Sequence, residues 1–299
     1  MDMMDKILYS YKNGNTTVTI YEDGTKVREF EDTPQIDFME SMDVKITNYC
    51  DLNCSFCHEM STTKGKHCDV DTLIEVLDNA NLPKGIELAL GGGDPISHPE
   101  LPELLTKLYN RGFICNLTVN QQHLKKHKDL LIELLNNNLI KGLGISINNN
   151  DFTVISELMT YTNNIVFHLI AGVNSINIID SLMTLSYCKV LILGYKYYGR
   201  GVKYQDAHSK EVTETLQEWF TLLPKYLGKC TLSFDNLAIE QLNVRRLFTE
   251  EGWKMFYMGD DFTFTMYIDA VEEMYAPTSR DGNKVSFKEK SLLEYFKGN

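Results

Sequence analysis

Three thiols and an imidazole crowd one short stretch, CDLNCSFCH, at residues 50–58. Their types and spacing admit three chemistries. Cys54, Cys57 and His58 spell C-x-x-C-H, the attachment signature of a c-type haem. Cys50, Cys54, Cys57 and His58 together could offer a structural zinc three sulfurs and one nitrogen. Cys50, Cys54 and Cys57 alone could hold three irons of a four-iron cluster and leave the fourth open for chemistry.

The rest of the chain weighs between these readings. There is no second C-x-x-C, and Cys68, Cys115, Cys188 and Cys230 are scattered. Zinc would therefore have to recruit His58 from beside Cys57, which strains a tetrahedral set. The opening MDMMDKILYSYKNG holds acids and no apolar run of signal-peptide length, and no later stretch approaches the roughly 18 apolar residues of a membrane span. The expected location is the cytoplasm, away from any membrane. Haem c is attached to exported chains, so that reading recedes. Seven cysteines in a reducing compartment are not expected to pair as disulfides.

The net charge is −12, from 29 Lys and Arg against 41 Asp and Glu, and it repels nucleic-acid phosphates over most of the surface. The basic runs LKKHK (124–128) and VRR (244–246) fall within helix-like patterns and read as solvated faces.

The elements that must position the cysteines follow from hydrophobic periodicity. Turns at Asn13-Gly14 and Asp23-Gly24, with the alternating run Thr17 to Tyr21 between them, predict a β-meander over residues 1–40. From Asp43 strand and helix alternate. Strands are predicted at 43–47, 86–90, 113–119, 143–147, 165–170 and 190–193, each followed by an amphipathic helix. Asp69 and Asp151 are expected helix caps, and Pro99 fits a first helical turn. Six such units predict an α/β chain with a parallel sheet over 41–225, open or rolled into a barrel. A further strand at 231–234 and a hairpin within 261–277 predict a C-terminal α+β extension, 226–299, closing over the site. Ligands in such sheets gather at the carboxyl ends of strands, where Cys50, Gly91 to Pro95, Asn120 and Ser146 fall.

Cys50-x-x-x-Cys54-x-x-Cys57, with Phe56 before the last cysteine and a strand upstream, resembles the cluster motif of the radical S-adenosylmethionine (SAM) enzymes. The resemblance runs over about residues 43–201 and implies a partial (β/α)6 barrel. It implies a [4Fe–4S] cluster on Cys50, Cys54 and Cys57, with SAM as the second cofactor. Gly92, Gly93, Asp94 and Pro95 match the family's turn that contacts the amino group of SAM; glycines allow close backbone approach, and a carboxylate balances an ammonium. Asn120 and Ser146 resemble its polar contacts to the SAM carboxylate or ribose.

The implied activity is reductive cleavage of SAM to a 5′-deoxyadenosyl radical that abstracts hydrogen from a peptide or small molecule. A flavodoxin- or ferredoxin-like one-electron reductant is the implied partner. Alternatives are a nucleoside- or nucleic-acid-modifying member and a cluster protein that never cleaves SAM. Lys196 and Arg200, in GYKYYGRG, could clamp an acidic group, and His58 and Glu59 could line the site. His168 reads as a core histidine. The four scattered cysteines read as small buried hydrophobes, with a hydrogen-atom donor as the sharper alternative. No cysteine follows Cys230, so no auxiliary cluster is expected, which favours epimerisation, rearrangement or hydrogen transfer over oxidation.

Overall fold

A computed structural model describes residues 6–298; residues 1–5 of the expected N-terminal appendage lie outside the described residues. Strands β1 (Ile7–Asn13), β2 (Thr16–Tyr21) and β3 (Lys26–Glu29) form the antiparallel meander. Its two turns place Gly14 and Gly24 at positive φ, which only glycine adopts freely.

The main sheet begins with β4 (Ser41–Thr47), β5 (Glu87–Gly92), β6 (Ile114–Asn120), β7 (Gly142–Ser146), β8 (Ile165–Ile170) and β9 (Lys189–Leu193). These alternate with helices α1 (Val70–Ala80), α2 (Leu101–Asn110), α3 (Gln121–Asn136), α4 (Thr153–Leu158), α5 (Ile178–Leu182) and α6 (Arg200–Leu222). Asp69 caps α1 through a 2.8 Å bond from Thr72 N, and Val70, Leu73, Ile74 and Leu77 are buried beneath it. At α4 the Asp151 carboxylate accepts from Thr153 N at 3.1 Å. Pro99 stands just before α2, whose own first turn holds Pro102. The strands follow one rule. Outward residues such as Val44, Leu88, Leu90, Val119, Ile145, Phe167 and Ile192 are fully buried against the helices. Inward positions carry Ala89, Gly91, Thr118, Gly142 and Gly144, small groups where a closed barrel would stack bulky branched ones. A cavity of about 780 Å³ is left along the barrel interior.

Beyond α6 come β10 (Thr231–Phe234), α7 (Asn236–Gln241), α8 (Glu250–Phe256), β11 (Thr265–Asp269), β12 (Met274–Ala276), β13 (Val285–Ser286) and α9 (Leu292–Lys297). The sheet runs β10-β9-β8-β7-β6-β5-β4-β11-β12-β13, with β10 parallel to β9 and β11 parallel to β4. The last quarter of the chain thus adds a parallel strand to each edge of the six-unit sheet, then returns as the β11–β12 hairpin. Phe262, Tyr275, Tyr295 and Phe296 pack ring against ring beside that hairpin as its core. A smaller cavity of about 230 Å³ lies between β10 and β11, with Asp43, Lys196, Asp235 and Arg280 in its wall.

The meander turn closes the amino-end floor of the barrel. Lys189 Nζ donates to Asp23 O at 2.8 Å, Lys26 pairs with Glu87 at 2.5 Å, and Gly24 lies against Asn164 in the cavity wall. Among the described residues no helix is long and apolar enough to cross a membrane.

Candidate active site

The cysteine loop leaves β4 and is gripped from three sides. On the first, Thr62 N donates to Asn48 O at 3.1 Å and Cys50 N to Thr62 O at 3.0 Å, closing the base of the loop. Gly65 sits so near Asn48 that a Cβ would stand 1.9 Å from its carbonyl oxygen. Within the loop, Cys57 N donates to Cys54 O at 3.2 Å, a tight turn that turns both residues toward the cavity.

On the second side stands Arg200, at the start of α6. Its Nε donates to Cys54 O at 2.8 Å, its Nη1 to Ser61 O at 3.1 Å and its backbone N to Cys57 O at 3.1 Å. Arg200 therefore does not clamp an acidic ligand; its guanidinium is engaged by loop carbonyls. Phe56 meets Tyr204 of α6 edge to face at 5.8 Å between centroids and lines the cavity.

The third side is the GGGDP turn after β5. Gly93 N donates to Thr47 O at 2.8 Å and Asp94 N to Tyr49 O at 2.6 Å, joining this turn to the strand that delivers Cys50. Gly92 has φ +121°, and a Cβ on Gly93 would lie 2.1 Å from Tyr49 O. The glycines are needed first for this meeting of two backbones. Gly92 and Gly93 line the cavity, whereas Asp94 and Pro95 do not. With its N–H held by Tyr49, Asp94 turns its fully buried carboxylate into the helix layer. There it bonds the Ser97 hydroxyl, so it does not face a ligand ammonium in the cavity.

Across the rim, Asn120, Ser146 and His168 are register neighbours on β6, β7 and β8 and all face the cavity. Asn120 Oδ1 caps α3 by accepting from Gln122 N at 3.0 Å, which leaves its amide NH2 for a ligand. The structure thus brings Cys50, Cys54, Phe56, Cys57, Gly92, Gly93, Asn120 and Ser146 to one cavity.

The donor set fits a [4Fe–4S] cluster. Burial, with the charges of the neighbouring cysteines, pushes the Cys50 and Cys54 thiols up, a penalty that cationic iron offsets. Among the described residues no fourth cysteine lines the cavity. Cys68 is buried with Sγ 3.5 Å from His98 Nε2, Cys115 is buried, and Cys188 and Cys230 adjoin each other where β9 and β10 begin. His58 Nε2 lies 3.1 Å from Glu59 and 3.2 Å from Lys196 Nζ, so it is not free to complete a zinc set.

Lys45, Glu59 and Lys196 line the opposite wall, backed by Asp269 and Lys284; no motif announced Lys45, Asp269 or Lys284. Lys45, 7% exposed, lies 2.7 Å from Asp269 and 3.3 Å from Glu59, and Lys284 reaches Asp269 at 2.8 Å. Lys196 donates to Ser279 at 2.9 Å. Burial opposes the charge on Glu59, yet His58 and Lys45 hold its carboxyl down at about 2. The available signal was alternation: Asp43 and Lys45 on β4, and Tyr267 and Asp269 on β11, interrupt otherwise apolar strands on their inward face.

His168 faces this cavity and lacks compensating charges, and burial drops its pKa from 6.5 to about 4. Between those values the unfolded chain binds more protons than the folded one. Stability is therefore intact at neutral pH and falls as pH drops through that window. Urea denaturation is expected to show wild type losing about 1–2 kcal/mol more than His168→Gln between pH 7 and pH 5, after allowance for cavity water. Equal losses would refute it.

The family model described as the radical SAM superfamily matches residues 44–195. No curated protein matches the chain by sequence. Among solved structures, Streptococcus suis SuiB bound to precursor peptide SuiA is similar with TM-score 0.60 and 16% identity, over 87% of this chain and 65% of that one. SuiB bound to S-adenosylmethionine gives 0.59 and 16%, over 87% and 66%. The protein anSMEcpe with bound AdoMet and Cp18Cys peptide gives 0.53 and 11%, over 87% and 80%. The chain spans about two thirds of the length of SuiB. Motif, barrel and family match converge, and the chain belongs to the radical SAM superfamily.

Proposed function

We propose that the chain binds one [4Fe–4S] cluster through Cys50, Cys54 and Cys57, and SAM along Gly92, Gly93, Asn120 and Ser146, and acts on a peptide. The carrying observation is that all these residues line one cavity from loops that share backbone bonds. When bound, cluster and SAM supply one-electron cleavage of the sulfonium and hydrogen-atom abstraction from an unactivated carbon. The chain's residues supply geometry. Arg200 fixes the cysteine loop, the absence of side chains at Gly92 and Gly93 lets a ligand approach the turn's backbone closely, and the Asn120 amide meets a carboxylate or ribose.

Ile170, Val173, Leu191 and Leu193 make part of the wall apolar, and the meander turn shuts the floor, which limits the entry of water from that end. A peptide is favoured over nucleic acid by the −12 charge, and over a compact small molecule by the cavity's volume of about 780 Å³ and by the peptides bound to SuiB and anSMEcpe.

Anaerobic reconstitution followed by dithionite and SAM is the test. About four irons per chain and production of 5′-deoxyadenosine are expected; four irons without 5′-deoxyadenosine would sink the enzymatic reading. Deuterium transfer from labelled candidate peptides into 5′-deoxyadenosine identifies the substrate.

A further inference from the structure

The run HLKKHK (123–128) carries two histidines on its inward face. His123 is 4% exposed and His127 lies one turn along the same inward face of α3, while Lys125 and Lys126 face solvent. His123 Nε2 donates to Asp51 Oδ1 at 2.7 Å, and its Nδ1 stands 3.3 Å from Asp94 Oδ1. His127 Nε2 approaches the other Asp94 oxygen at 3.9 Å. Asp51 directly follows Cys50, and Asp94 directly follows the two cavity-lining glycines. One imidazole therefore spans the two loops that, in the function proposed above, hold the cluster and the amino acid end of SAM.

We propose that His123 is a positioning residue that fixes the distance between the cluster loop and the SAM loop by bridging Asp51 to Asp94. The two loops are already joined through backbone at Thr47 and Tyr49, on the strand side. His123 reaches them from the helix side, so the turn is held at two faces once its Nδ1 bonds Asp94. The Asp94 and His123 atoms that face each other are misaligned for a hydrogen bond and have no other partner, although both residues are more than nine-tenths buried. A buried polar pair in this state costs free energy unless a tightened geometry satisfies it. Ligand seating on the glycine turn supplies such a tightening. Partners that orient a metal site from behind change affinity by about 10–100-fold when removed.

The proposal rests on the cluster and SAM assignment, and the test separates the two. Wild type, Asp51→Ala, His123→Gln and the double variant are reconstituted anaerobically. Iron content, SAM affinity and the change in the reduced cluster's paramagnetic resonance spectrum on SAM addition are measured. Asp51 is 39% exposed at its side chain, so its truncation leaves the core intact. Asp51→Ala is expected to keep about four irons, bind SAM at least about tenfold more weakly and show a diminished spectral change. The double variant is expected to be no weaker than its weaker parent, because both changes cut one link. Unchanged affinity and spectrum in iron-loaded Asp51→Ala, or additive losses in the double variant, overturn the bridge. A wild type whose iron-loaded cluster ignores SAM overturns the underlying assignment instead.

Discussion

Cys50→Ala, Cys54→Ala and Cys57→Ala are each expected to lower bound iron from about four per chain to near zero, and SAM cleavage to fall by about 10³-fold or more, some 4 kcal/mol. Three thiolates are the smallest set that leaves one iron free while anchoring the rest. Removing one leaves two, and no cysteine among the described residues is near enough to replace it. Cys68→Ala, Cys115→Ala, Cys188→Ala and Cys230→Ala keep their iron, since none faces the cavity. His58→Ala keeps it as well, because that ring is held by Glu59 and Lys196. Iron and sulfide analysis of the set decides the matter; a Cys57→Ala protein with a full complement of iron would overturn the ligand assignment.

Gly93→Ala is the second change with a large expected effect. The added methyl would stand 2.1 Å from Tyr49 O and 2.7 Å from Tyr49 C, atoms of a backbone that is itself held by Asp94 N. A rigid obstacle of this kind forces the turn off the β4 strand end. The expected cost is about 3 kcal/mol, or a fall in melting temperature of roughly 6–12 °C. SAM affinity falls with it, as the turn and Cys50 no longer keep their separation. Gly282→Ala is the control, since nothing lies within 4 Å of a Cβ there and its φ is not in the left-handed region. Thermal melts and SAM titration check the pair; a Gly93→Ala protein that melts and binds like wild type would refute this account of the turn.

The strands and helices of the barrel were legible because each is encoded locally. The run IVFHLI marks β8 to the residue, and Asp69 announces α1 before its apolar stripe begins. The cysteine loop and the glycine turn were legible for the same reason: their chemistry sits in consecutive residues. What could not be read depends on contacts between distant segments. Thr231–Phe234 and Thr265–Asp269 look like neighbouring strands of one extension, yet they join opposite edges of the sheet, a choice made by packing rather than by either run. Arg200 looked like a ligand clamp because carbonyl acceptors from a loop 139 and 146 residues away leave no mark in its own neighbourhood. Asp94 looked like a ligand carboxylate until its backbone bond to Tyr49 fixed the way its side chain points. His123 was masked by the lysines beside it, since a helix carries opposite environments at adjacent positions.

The Asp23–Gly24 turn against Asn164 and Lys189 has a kinetic meaning. A barrel stoppered at its base admits nothing through that end. Reactants therefore have to approach and leave from the other end, past the rim that carries the cysteine loop. The direction of approach is thus set by four residues at the opposite end of the barrel from Cys50.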